Sequence, residues 1–108
     1  MATYPLSIIS PHGKILEDQV EFLVAPGVEG SLGVLANHAA MVAALTKGVV
    51  KVKGVEMEQF FALSSGVLEV NAEHAVLILA DMAERTNSFE EAKLKTKKFV
   101  DAFTPKQK

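Results

Sequence analysis

Apolar positions in this chain recur with period two for most of its length and with helical spacing only near the end. Tyr4, Leu6 and Ile8 alternate with Pro5 and Ser7, the pattern of a strand with one buried face. "SPHGK" then turns the chain on Pro11 and Gly13. Val20, Phe22 and Val24 share the next strand face, with Glu21 opposite, and "APGVEG" ends that strand. After Gly48, Val50 and Val52 alternate with Lys51 and Lys53. Val55 to Leu63 predicts a longer strand around "EQFFAL", "GVLEV" a short one, and "NAEH" the hairpin turn after it. "AVLILA" is apolar at every position, as expected of a central strand buried on both faces. Short strands at even spacing predict a β-sandwich or barrel. "NHAAMVAALTKG" stands apart. Asn37 can cap a helix, Gly48 can stop one, and the alanines favour one, so helix and strand are balanced there.

Beyond about residue 86 the character changes. Ser88-Phe89-Glu90-Glu91 has the spacing of a capping box, serine at the N-cap and glutamate three residues on. Phe89, Ala92, Thr96, Phe99, Val100 and Phe103 form one face at helical spacing, and Thr104-Pro105 ends it. Lys93, Lys95, Lys97 and Lys98 take the other faces. The stripe has to be buried, either on the sandwich or on a partner.

A chain of 108 residues fits one small core. The fold class is mainly β, with a sandwich over 1–86 and a helical segment over 87–108. A formal net charge of −2 argues against nucleic acid and anionic lipid as partners. The absence of cysteine excludes disulfides, thiolate metal sites and cysteine nucleophiles. Apolar runs such as Ala39–Leu45 and Ala75–Ala80 are far too short to span a bilayer as helices.

Candidate chemistry is sparse. His12, His38 and His74 lack metal-ligand spacing. Gly27, Gly30 and Gly33 match neither GxGxxG nor a phosphate loop with its lysine. They read as glycines shaping a long turn. Ser64-Ser65-Gly66 is not a nucleophile elbow. Glu56 with Glu58, and Glu69 with Glu73, read as solvated carboxylates. These residues describe a non-enzymatic binding domain that needs no metal and no cofactor.

"PGVEGSLGVLANHAAM", "LTKGVV", "FFALSSGVLEV" and "VLILADMAE" occur in the order seen in the ε subunit of bacterial F-type ATP synthases, the δ subunit of mitochondria. The resemblance runs from about Leu6 to the tail. It implies a sandwich of about ten short strands, and so favours strands within "NHAAMVAAL". It also implies a role as a non-catalytic rotor subunit of the central stalk in a proton-transporting enzyme. Such a subunit binds γ and rests on the c-ring, peripherally on the cytoplasmic face of the bacterial plasma membrane. By the same resemblance Glu29, Gly30, Ser31, Leu32 and Gly33 face the c-ring, with the two glycines shaping the turn. Ser10, His38, Met41 and Ala43 are the γ contacts it implies.

The departures bear on detail. Where the family has "HAP" and "SGG", this chain has His38-Ala39-Ala40 and Ser64-Ser65-Gly66, which asks Ser65 for a backbone shape that glycine tolerates better. The family continues into two helices, whereas this sequence holds one, which implies at most a reduced restraint on ATP hydrolysis. The ATP motif of some members is degenerate here, with Glu90 for its aspartate, Lys93 for its arginine and Leu94 for its alanine, so no ATP site is expected. Two other readings remain. One is a free-standing β-sandwich protein-binding module. The other is a small barrel enzyme built on His38 and a convergent carboxylate.

Overall fold

In a computed structural model residues 2–99 are described. The strands are β1 (Tyr4–Ser10), β2 (Gly13–Gly27), β3 (Gly30–Leu35), β4 (Met41–Leu45), β5 (Gly48–Gly54), β6 (Glu58–Leu63), β7 (Gly66–Val70), β8 (Val76–Ala80) and β9 (Ala83–Thr86). One helix, α1 (Phe89–Lys98), follows. Of the undecided "NHAAMVAAL" segment, Met41–Leu45 is strand, as β4, and residues 37–40 before it are turn and irregular chain. Nine strands form among the described residues, against about ten expected.

Two layers enclose the core. One carries β4, β7, β8 and β1, with β1 against the first half of β2. The other carries β3, the second half of β2, β5, β6 and β9. β1 and β8 are parallel, and every other pairing is antiparallel. Leu6, Ile8, Leu23, Phe61, Leu63, Leu68 and Ile78 fill the interior without exposure. Tyr4 lies among them, its hydroxyl donating to the Val34 carbonyl at 2.7 Å.

β2 serves both layers because it changes phase. Leu16 and Val20 point inward in its first half, Leu23 and Ala25 in its second. Its register with β5 shifts between Val20 and Phe22, and such a bulge moves later side chains to the opposite face. Phe22 and Val24 are thus not the inner partners of Val20. They are half-buried on the outer face, where Phe22 lies beside Gly33.

Three further expectations change. Residues 55–57 are not strand: Gly54 N–H bonds Met57 O at 2.8 Å, closing a turn with Val55 and Met57 exposed. β8 is central in its hydrogen bonding, but only Val76, Ile78 and Ala80 are buried, and Leu79 is half exposed. Ser65 does not have a positive φ; among the described residues those that do, besides glycines, are Asn37 and His74. The position that demands glycine is Gly66, where a Cβ would lie 2.2 Å from Leu79 O.

The helix forms as its cap dictates. Ser88 Oγ accepts from Glu91 N–H at 3.1 Å, and Glu91 Oε1 accepts from Asn87 N–H at 2.9 Å. Ala92, Thr96 and Phe99 are buried against the outer face of β5 and β6, where Ala92 and Phe99 pack with Val49, Phe60 and Ala62. Phe89 meets Phe60 edge to face at 6.4 Å. Phe99 leaves helical geometry, and its carbonyl accepts from Lys47 Nζ at 3.4 Å. The stripe docks on the sandwich. Val100, Phe103 and the stop at Thr104-Pro105 lie outside the described residues.

Two measurements check this core. Burial pushes the Tyr4 phenol above its ordinary range, the neighbouring Leu23 backbone lowering it in part. Below about pH 10 the phenol is protonated in both states; above it the unfolded chain releases the proton first, so stability falls as pH rises. Urea unfolding of Tyr4→Phe should lack that alkaline loss while costing about 1 kcal/mol at neutral pH. Gly66→Ala should cost at least about 2 kcal/mol by crowding the backbone. Ser65→Gly should bring no gain.

Candidate interaction surface

The glycine-spaced segment is a hairpin. β2 and β3 pair from Phe22↔Leu35 to Gly27↔Gly30, leaving Val28 and Glu29 at an exposed tip. Gly30 has φ +126, and a Cβ on Gly27 would lie 2.6 Å from Gly30 O. Those two glycines make the turn. Gly33 does not: it sits within β3 opposite Val24, and its missing Cβ leaves room for the Phe22 ring. Of the five residues expected at the c-ring, Glu29 and Gly30 are at the tip, while Ser31, Leu32 and Gly33 run along β3.

Hydrogen bonds Val28 N–H to Ala44 O (3.0 Å) and Thr46 N–H to Pro26 O (2.8 Å) fasten this hairpin to β4. Between tip and β4 lies an open cleft of about 470 Å3, lined by Gly27 to Leu32 and by Val42, Ala43 and Ala44. The structure thereby brings Ala43 together with Glu29, Gly30, Ser31 and Leu32.

The other γ candidates are scattered. Ser10 ends β1 and is 8% exposed, its Oγ accepting from His12 N–H at 3.2 Å. His38 lies between β3 and β4, at the opposite end of the same layer. Its Nδ1 meets Ala39 O at 2.8 Å, and its carbonyl meets His74 Nδ1 at 2.9 Å. A carbonyl only accepts, so both Nδ1 atoms carry hydrogen. Met41 packs against the core, and alternation puts Ala43 on that same side. Val42 and Ala44 are the β4 residues that point outward, Val42 with 71% exposure.

That outward side is the feature the sequence reading missed. Cross-strand pairing places Ala44, Val67, Leu79 and Ile9 in one row. Val42, Glu69, Leu77 and Ser7 form the next. The first row is wholly apolar across four strands, and Val42 and Leu77 widen it on β4 and β8, with Glu69 between them. The signal was present in "AVLILA", whose second apolar face is not covered by the sandwich.

No constellation for bond-making chemistry forms among the described residues. No three His, Cys, Asp or Glu side chains converge there as a metal site. Ser64 Oγ accepts from Met82 N–H and Ser65 Oγ donates to Asp81, both at turns. Glu58 meets Lys51 at 3.4 Å in solvent. Glu90 is exposed, and Lys93 borders an apolar groove between α1 and the sheet with Phe89, Lys97 and Lys51. His38 lies on an open loop, bonded to backbone.

The two sides of this layer should respond differently to substitution. Val67→Thr and Leu79→Thr face solvent in the isolated chain and should each shift unfolding free energy by less than about 0.5 kcal/mol. Leu68→Ala, next to Val67 on the inward side, should cost about 2–5 kcal/mol.

Comparison with known proteins agrees with this geometry. Residues 3–86 match the family model for the β-sandwich domain of the ATP synthase delta/epsilon chain. The ATP synthase epsilon chain of Syntrophomonas wolfei is 34% identical over 98 residues, 90% of this chain and 71% of its own length. A chain of the Euglena gracilis mitochondrial ATP synthase, solved with the c-ring, superposes at a TM-score of 0.74 and 25% identity, covering 84% of this chain and 59% of its own. A chain of the Tetrahymena thermophila central stalk and c-ring shares the fold at TM-score 0.67 and 14% identity, over 90% of both. No described helix is long and apolar enough to cross a membrane. A β-sandwich with this hairpin, matched from Thr3 to Thr86, makes the chain a member of the ATP synthase delta/epsilon family.

Proposed function

We propose that this chain is the ε-type subunit of a rotary ATP synthase, a non-catalytic rotor part binding γ and the c-ring. The observation that carries the reading is the apolar outer face of β4, β7, β8 and β1, continuous with the cleft beside the β2–β3 hairpin. A face with Val42, Val67 and Leu79 exposed resembles the core of a protein interface more than a free surface. The hairpin beyond it offers Glu29 and the Gly30 backbone to a second partner, so one rigid module meets two neighbours. Torque transfer needs such rigidity and no reactive group. γ covers the outer face, and the c-ring meets the hairpin tip.

The enzyme so attached lies peripherally on the cytoplasmic face of the bacterial plasma membrane. α1 docks on the opposite layer, away from the apolar face. Held there by Ala92 and Phe99, it restrains ATP hydrolysis at most weakly.

Titration of this chain with purified γ tests the reading. Val42→Asp with Leu79→Asp should weaken binding at least about 100-fold, since two buried charges lack partners. The same pair should leave the isolated chain folded. Undiminished affinity in the double variant would sink the assignment of that face.

A further inference from the structure

The free edge of β3 is built to accept another strand, and we infer that the isolated chain dimerises there, β3 against β3 of a second copy. Among the described residues β3 is hydrogen-bonded to β2 alone. Pro26 O points to Thr46 N–H on the far side of β2, so in the alternating antiparallel ladder Gly30, Leu32 and Val34 face β2. The N–H and C=O groups of Ser31, Gly33 and Leu35 therefore point outward, without partners among the described residues.

Sheet edges are normally guarded by charge, proline or brevity. The other edge of this layer, β9, is four residues long and carries Glu84 and Arg85. β3 is six residues, GSLGVL, with no charge and no proline. Nothing on it repels an incoming strand. α1 lies over β5 and β6, with β2 between it and β3, so no described element obstructs the edge.

The edge is also complementary to itself. An antiparallel two-fold centred on Gly33 pairs Ser31 with the second copy's Leu35, and Gly33 with its counterpart. All three outward residues then fall in hydrogen-bonded pairs, giving about six backbone bonds. No side chain stands at the centre, and Glu29 comes opposite Asn37 rather than another acid.

Sedimentation velocity on the purified chain, from about 10 μM to 1 mM, should show a reversible dimer in that Kd range. Two variants test the register. Ser31→Lys with Leu35→Lys puts lysines directly opposite across both outer pairs and should leave a monomer at every concentration. Ser31→Lys with Leu35→Glu puts opposite charges there and should restore the dimer. Within one strand these positions are too far apart to interact, so an effect on the fold alone would not separate the variants. A chain monomeric up to 1 mM, or a dimer indifferent to the double lysine, overturns the proposal.

Discussion

A single extra residue in β2, between Val20 and Phe22, lets one strand belong to two sheets. Before it, Leu16 and Val20 look into the core beside β1; after it, Leu23 and Ala25 do so beside β3 and β5. Without the phase change, the second half of the strand would present Phe22 and Val24 inward and leave Leu23 outside. The layer carrying β3, β5 and β6 could not then close over the first. The hairpin depends on the same residue, because β3 takes its register from β2 beyond the bulge.

The closed sandwich divides its outer surfaces. One layer turns a polar-and-apolar face to α1, where Val49, Phe60 and Ala62 are covered from within the chain. The other leaves Val42, Val67 and Leu79 bare. The division explains how a small domain with mean hydropathy of +0.24 carries so much apolar sequence: several strands are apolar on both sides for two different reasons. It also places α1 and the proposed γ face on separate layers.

Much of this was legible in the sequence. Period-two alternation located most strands, and the serine–glutamate spacing located the helix cap. What failed was phase and coverage. "VEFLVA" is apolar on both faces, so alternation could not say which set points inward once a bulge intervenes. "AVLILA" reads as buried twice over because a sequence does not distinguish apolar residues covered by the same chain from those awaiting another. "NHAAMVAAL" was undecidable locally because alanine suits either backbone, and pairing with β7 decides it. At the site, the glycine spacing was informative for Gly27 and Gly30. Met41 and Ala43, expected as γ contacts, lie on the side of β4 that faces the core, and Val42 and Ala44 lie on its outward side.

The parallel pairing of β1 with β8 has a consequence for how the molecule comes into being. Leu6 to Ile9 match Val76 to Leu79, so the first strand waits for nearly the whole domain before one of its edges is satisfied. Closure entropy is met before any reward from that contact. On the ribosome β1 can pair early with β2, its neighbour across the Pro11–His12 turn, but the layer holding the bare apolar face cannot complete until β8 has left the exit tunnel. Completion of this layer is therefore a late step in the folding of the domain. A nascent chain stopped before Val76 presents an unpaired strand edge to its surroundings.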